Sequence, residues 1–459
     1  MIVTVITPDS AGSKGDEAMV RGMFEVFSGC RIRILTTERA DRSWSTELPD
    51  YCGSFDEVIV PFGDIASAVN GEGTLVVLGA DVIDGTCGVE ASLSRIAAIR
   101  RCIDCGDRAF IFMSFRSDVD QKIIDAIKNV TKSSETRVRW FCRDSVSASN
   151  FEKQIGFGCE RFPDFAYYCK SADLGHSAAV IREIGAARNS GRSIVGINFC
   201  HSSFSSFHAY SEEGIADYVG SVFSAVNEIF EDVFFVLIPH DTRKWPGSWT
   251  DSEFAEYSRK YFGDQGIILP SEISYAELLR IIPLLDMTIT GRMHLAVTSI
   301  RSAVIPVMFT GNGEETGYKM VDKCRGMFLD RLGIDQLVAT DRESLKNALI
   351  YLKTNRQNLV SELVSRNKEN EEQETRCRMK LREAMGILHE GEKTERSAFF
   401  WTEAIRASVR ASIDSLISSD IRMDEYLRSL DNRVNEYKRE IDSRLESLEN
   451  RSLRKKLRR

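Results

Sequence analysis

Apolar residues fall in short runs, separated by longer stretches with an apolar position every three or four residues. The runs lie at 2–7 (IVTVIT), 31–36, 57–60, 74–78, 109–115 and 138–142, then again at 193–199, 233–238, 267–269, 287–289 and 303–309. Short β-branched and aromatic runs without a helical period read as strands buried on both faces. The stretches between them predict helices over 17–27, 88–103, 118–131, 145–153, 210–230, 251–262 and 274–282, with Ser145 as a helix cap. Strands alternating with helices predict parallel, doubly wound (Rossmann-like) α/β sheets. The alternation restarts after residue 190, so two such domains are expected to face each other across a cleft, one over 1–170 and one over 190–340. Residues 171–191 are polar and Ala/Gly-rich with helical stretches, and read as the connection between them.

Beyond 340 the pattern is helical throughout. A segment over 341–390 has a strongly polar middle (366–376), read as a solvated face. An extension over 391–459 keeps Leu427, Leu430, Val434, Tyr437, Ile441 and Leu448 at coiled-coil spacing, with Arg444 interrupting. One expectation is a homo-oligomer joined through that seam; the other is a helix docked on the protein's own surface. The last ten residues hold six Lys or Arg and no acid, which suits either peripheral contact with anionic lipid at the inner face of a membrane or a solvated end.

Composition narrows the function classes. The 459 residues carry a net charge of −8, so the chain as a whole is no general nucleic-acid binder. No run of 18 apolar residues exists and the apolar start is too short for a signal peptide, so a cytoplasmic protein is expected. Eleven cysteines are scattered, several in apolar runs, which fits reduced, packed thiols. Cys102 and Cys105 form a single CxxC with no second pair nearby, so packing is favoured over a metal or redox role.

Ligands of open α/β sheets sit at the carboxyl ends of the strands. Charged residues gather at such ends here: Asp16, Asp81, Arg116, Arg143 and Asp144 in the first half, His240, Arg292 and His294 in the second. In 286–319 a strand ends at Thr290-Gly291, and a helix follows with Arg292 and His294 in its first turn. A second strand then leads into a Gly-rich loop ending at Lys319. An Arg can fork onto a carboxylate or phosphate, and a His can move a proton near neutral pH, so the unit suits a small anionic substrate. The plainer alternative is Arg292 capping a strand end and His294 as a hydrogen-bonded core histidine.

Four stretches resemble the polysaccharide pyruvyl transferase family: GSKGDEA at 12–18, FCRDSVS at 141–147, LIPHD at 237–241, and GRMHLAVTSIRSAVIPV at 291–307 with GYK at 317–319. The resemblance spans about residues 1–330. It departs at Ser13-Lys14, where the family has Asn before its Gly-Asp, and at LGAD (78–81). It implies a GT-B-like pair of Rossmann-like domains, with the acceptor held by the first and the donor by the second. It also implies transfer of pyruvate from phosphoenolpyruvate, as co-substrate, to a sugar of a cell-surface or exopolysaccharide precursor, free or lipid-linked. The product is a ketal and phosphate is released, with no cofactor or metal. His294 would be the acid that protonates carbon, and Arg143, Arg292 and Lys319 would hold donor charge. Asp16 or Asp81 would be the base, with His240 lining the cleft. The alternatives are a GT-B glycosyltransferase with a nucleotide-sugar donor and a non-catalytic scaffold organised by the coiled coil.

Overall fold

The first apolar run forms β1, Ile2–Ile6, buried from its second residue on. The structure, a computed structural model, describes residues 1–387 apart from 9–10, 38–41, 52, 62, 72, 80, 135, 205–210, 245–246 and 311–319, and describes 320–323 by backbone alone. After β1 come α1 (Lys14–Val26), β2 (Arg31–Thr37), α2 (Trp44–Glu47), β3 (Phe55–Val60), β4 (Thr74–Leu78), α3 (Val89–Asp104), β5 (Ala109–Met113), α4 (Gln121–Lys132), β6 (Val138–Cys142), α5 (Ser145–Ile155) and β7 (Glu160–Arg161). The strands make one parallel sheet in the order β3-β2-β1-β4-β5-β6-β7. Its two faces carry separate apolar cores, one around Ile99, Ile111 and Ile127, the other around Val5, Val20 and Phe110.

The second half repeats the plan. It runs α6 (Ala178–Asn189), β8 (Ser193–Asn198), α7 (His201–Phe204), α8 (Glu212–Ile229), β9 (Val233–Leu237), α9 (Asp251–Phe262), β10 (Gly266–Ile268), α10 (Tyr275–Ile281), β11 (Met287–Thr290), α11 (Met293–Arg301), β12 (Ile305–Phe309), α12 (Met320–Leu332), β13 (Val338–Ala339) and α13 (Arg342–Met385). Its parallel sheet has the order β10-β9-β8-β11-β12-β13. Strand order reverses between β1 and β4 in the first sheet and between β8 and β11 in the second, and each reversal opens a crevice at the strands' carboxyl ends.

Four expectations change. Residues 178–189 are not a connection: Val180, Ile184 and Ala187 pack into the second core, so α6 is one of its layers. The strand expected from residue 303 starts at Ile305, because Ala303 takes a left-handed turn at φ 56 after α11. The cap of α5 is Asp144, whose Oδ1 accepts Ser147 N–H at 2.7 Å; the Ser145 N–H and hydroxyl instead donate to Asp330 on α12. The helix after 341 is one 44-residue element, about 66 Å long at 1.5 Å per residue. Its polar middle is not wholly solvated: Glu374 is buried against Arg331 at 2.7 Å, and Asn367 donates to Ile300 O at 2.6 Å.

Met1–Leu388 pack as one compact unit. The coiled-coil seam, the basic tail and the rest of 391–459 lie outside the described residues. Among the described residues, no helix is long and apolar enough to cross a membrane.

Candidate functional site

The two crevices are brought together by backbone. Residues 12–14 pair with 240–242 across the domains: Lys14 N–H donates to His240 O at 2.8 Å, and Thr242 N–H to Gly12 O at 2.9 Å. Lys14 Nζ, buried, donates to Ser271 O at 3.1 Å and to Ile273 O. Glu17 crosses the same seam, both its carboxylate oxygens accepting Tyr275 N–H at 3.0 Å. That carboxylate therefore sits at the positive end of α10 and is held from behind by Arg21 Nε at 2.6 Å. The first turn of α1 is thus anchored in the second domain.

Around this seam stand the predicted residues. Asp16 pairs with Arg243 Nη1 at 2.9 Å. Burial pushes the Asp16 carboxyl up, against the opposing pull of Arg243 and His294. Asp81, at the end of β4, is half-buried and acts electrostatically on both Asp16 and Arg143. Arg143, at the end of β6, donates from Nη1 to Asp164 Oδ2 at 3.0 Å and from Nη2 to Met293 Sδ at 3.1 Å, reaching across the cleft to α11. Burial opposes its charge, but Asp164, Asp81 and Asp144 outweigh burial and hold it protonated.

His294 lies in the first turn of α11 with its side chain 13% exposed, and its Nε2 is 3.4 Å from Asp164 Oδ2. The opposite side of the ring rests on the backbone of Gly15. The stretches 12–18 and 291–307 therefore meet at this imidazole, and 141–147 reaches the same carboxylate, Asp164, through Arg143. The stretch 237–241 joins the same region through His240, whose backbone O accepts Lys14 N–H, and through Asp241, paired with Arg243.

Arg292 is placed differently from a free phosphate fork. Its guanidinium donates to Asp251 Oδ1 at 2.8 Å and stands 3.3 Å from Asp241 Oδ2. Burial raises the carboxyl of Asp241, but Arg292 and Arg243 outweigh burial and bring it down to about 2. Asp251 is fully buried and also accepts the backbone N–H groups of His240 and Asp241 at 3.1 and 3.0 Å and Asn198 Nδ2 at 2.8 Å. Arg292 is thus a strut under the strand ends. His240 is buried with Nε2 unpartnered; burial, with His294, Arg292 and Lys14 nearby, keeps its ring neutral, well below the usual histidine range. Lys319 lies outside the described residues. Arg116, at the end of β5, pairs with its chain neighbour Asp118 at 2.9 Å.

Sequence reasoning missed Asp164, Asp251, Arg243 and the seam role of Lys14 and Glu17. Glu17 was readable only as a helix-start acid. Asp164 carries no local signal beyond opening the aromatic turn 165–168, whose Ala166 N–H it accepts at 2.9 Å. Cys102 is buried in a core of the first domain and Cys105 is exposed.

No protein-family model and no curated protein matches the chain. Solved structures do. UGT89C1 of Arabidopsis thaliana, complexed with UDP-L-rhamnose, superposes with a TM-score of 0.52 at 11% identity, covering 84% of this chain and 99% of that one. A UDP-glucosyltransferase of Polygonum tinctorium that glucosylates indoxyl gives 0.51 at 10% identity, covering 84% and 98%. Anabaena HepE in complex with UDP gives 0.50 at 10%, covering 84% and 100%. At such identity the likeness establishes the fold: two Rossmann-like domains in the GT-B arrangement.

Proposed function

We propose that the chain is a transferase that moves a group from a phosphorylated donor onto a saccharide hydroxyl in the cleft between its two sheets. One observation carries this reading: His294, from the switch point of one sheet, sits 3.4 Å from Asp164 and against Gly15, in the other domain. Group transfer to a hydroxyl needs a proton moved at the reacting atoms, and an imidazole among fixed charges supplies it. Asp16, with a carboxyl raised by burial, is the second proton acceptor within the same cluster. Its higher basicity suits a base for the acceptor hydroxyl.

The donor divides into two readings. The solved neighbours, with UDP or a UDP-sugar in their complexes, favour a nucleotide sugar and glycosyl transfer. The acceptor hydroxyl would lose its proton to Asp16 or His294 as it attacks the anomeric carbon and the nucleotide leaves. The resemblance of the stretches 12–18, 141–147, 237–241 and 291–307, whose described residues lie around this cluster, supports the second reading, pyruvyl transfer from phosphoenolpyruvate. There His294 would protonate the methylene carbon and two sugar hydroxyls would bond to the neighbouring carbon as phosphate departs. Of the two hydroxyl protons, one balances the new methyl group and the other leaves with phosphate. Arg143 and Lys319 would face donor charge, while Arg292 would act through the strand ends it braces.

Calorimetry separates the readings. Wild-type protein is titrated with UDP, a UDP-sugar and phosphoenolpyruvate, beside Arg143→Ala and His294→Ala. Binding of a uridine ligand alone selects glycosyl transfer. Binding of phosphoenolpyruvate, weakened at least tenfold in Arg143→Ala, selects pyruvyl transfer. Binding of none of the three, with saccharide present, overturns the transferase reading and leaves a scaffold.

A further inference from the structure

The imidazole of His294 has two nitrogens in different surroundings. Nε2 is the buried one: no hydrogen bond satisfies it, and the nearest opposite charge is Asp164 Oδ2 at 3.4 Å. Nδ1 is on the other side of the ring, against the start of α1, where a Cβ built on Gly15 would stand 2.4 Å from it. Asp164 is also held by partners other than His294. Its Oδ1 accepts Ala166 N–H at 2.9 Å and its Oδ2 accepts Arg143 Nη1 at 3.0 Å. A bare Nε2 lone pair facing this anchored carboxylate is repelled, whereas an Nε2–H is attracted. The surroundings therefore select one tautomer.

We propose that Asp164 is a positioning residue that holds His294 as the Nε2–H tautomer, so that proton exchange with substrate falls to Nδ1. This rests on the reading of His294 as the proton carrier. Acting as acid, the imidazolium gives its Nδ1 proton to the substrate and relaxes to the Nε2–H form. Acting as base, Nδ1 takes the hydroxyl proton, and the imidazolium formed is paired with Asp164. Asp164 itself stays ionised throughout. The charged and titratable groups around the ring are Asp164 from the segment after β7, Arg143 from the end of β6, Asp16 from α1 and the neutral His240 from the loop after β9. Asp16 is neutralised by Arg243, whereas Asp164 is the carboxylate 3.4 Å from the ring, so the Asp164 contact orders it. Burial raises the Asp164 carboxyl, but His294 and Arg143 outweigh burial and hold it well below the ordinary range.

The test is nitrogen NMR of histidine-labelled full-length protein. The chain has six histidines, and the His294 signals are those lost in His294→Gln. The neutral wild-type ring is expected to be protonated on Nε2; a ring protonated on Nδ1 overturns the proposal, and this arm needs no Asp164 variant to fold. In Asp164→Asn, which keeps the shape and removes the charge, the share of Nδ1–H should rise. With the donor identified by calorimetry, Asp164→Asn should lower kcat about 100-fold with KM within a few-fold. An unchanged His294 tautomer in Asp164→Asn overturns the positioning role even if activity drops. Full transfer by His294→Gln overturns the underlying reading instead, whatever the spectra show.

Discussion

Gly15 shows how tightly the site residues constrain one another. A Cβ there would stand 2.4 Å from His294 Nδ1 and 2.8 Å from its Cγ. The obstacle is a side chain that can rotate, so Gly15→Ala is expected to displace the imidazole and leave the fold in place. Its turnover should fall by about 100-fold or more, the lower range for a lost proton-transfer group, while its melting curve stays cooperative; unchanged turnover refutes the contact. His240 makes a prediction about pH. Its folded-state pKa is depressed by burial, so the stability it contributes is complete above its unfolded value of 6.5 and is lost progressively as pH falls below that value. The loss is at most about 1.4 kcal/mol per pH unit for one proton. His240→Gln should flatten stability against pH between 7 and 5, measured by denaturant titration; an equally steep loss in the variant shows that other groups set it. Residue types at strand ends were legible because chemistry needs charge there. Partners were not, since Asp164 and Asp251 acquire their roles only from arginines and a histidine that folding brings from distant strands.

Elements were legible where burial is complete. Thr74–Leu78 and Val138–Cys142 match their runs end to end: the first is buried throughout, and the second is interrupted only at Arg139, half-buried beside Glu160. The edge strands Glu160–Arg161 and Val338–Ala339 were not, since two residues form no pattern. Packing between elements was also hidden. α1 lies so close to the turn 165–168 that a Cβ on Gly22 would stand 1.8 Å from Phe165 O. Here the obstacle is backbone, and the turn is tied down by Asp164. Gly22→Ala should therefore cost about 3 kcal/mol or more, at or beyond the upper range for overpacking, with loss of soluble protein or a sharp drop in denaturation midpoint. A stability within about 0.5 kcal/mol of wild type, the range of an ordinary surface substitution, contradicts the packing. Gly15 and Gly22 lie on one helix and sequence alone treats them alike; their neighbours make one a functional position and the other a folding position.

At the scale of the molecule, α13 ties the two sheets into one body. Leu345, Leu349, Leu352, Leu359 and Leu363 are buried in the second domain, and Leu381 and Met385 in a core of the first. Arg382 adds donors to Val26 O at 2.9 Å and Ser28 O at 3.0 Å, at the far end of α1. Burying Leu381 and Met385 contributes about 3–6 kcal/mol at 1.5–3 kcal/mol per side chain, a large fraction of what holds a domain folded. Two truncations distinguish the contribution of this helix from that of residues 389–459. A chain ending at residue 365 loses the anchors in the first domain and should melt in two steps, with the first domain unfolding earlier. A chain ending at residue 388 keeps the whole compact unit and should retain the wild-type midpoint and any donor binding. The chain ending at 388 also tests the coiled-coil expectation: light scattering should show an oligomer for the full-length protein and a monomer after removal of 389–459. Equal subunit numbers would remove the seam at Leu427–Leu448 as the source of assembly. A midpoint unchanged by ending at 365 would show that the sheets cohere through the seam at Lys14 and Glu17 without α13.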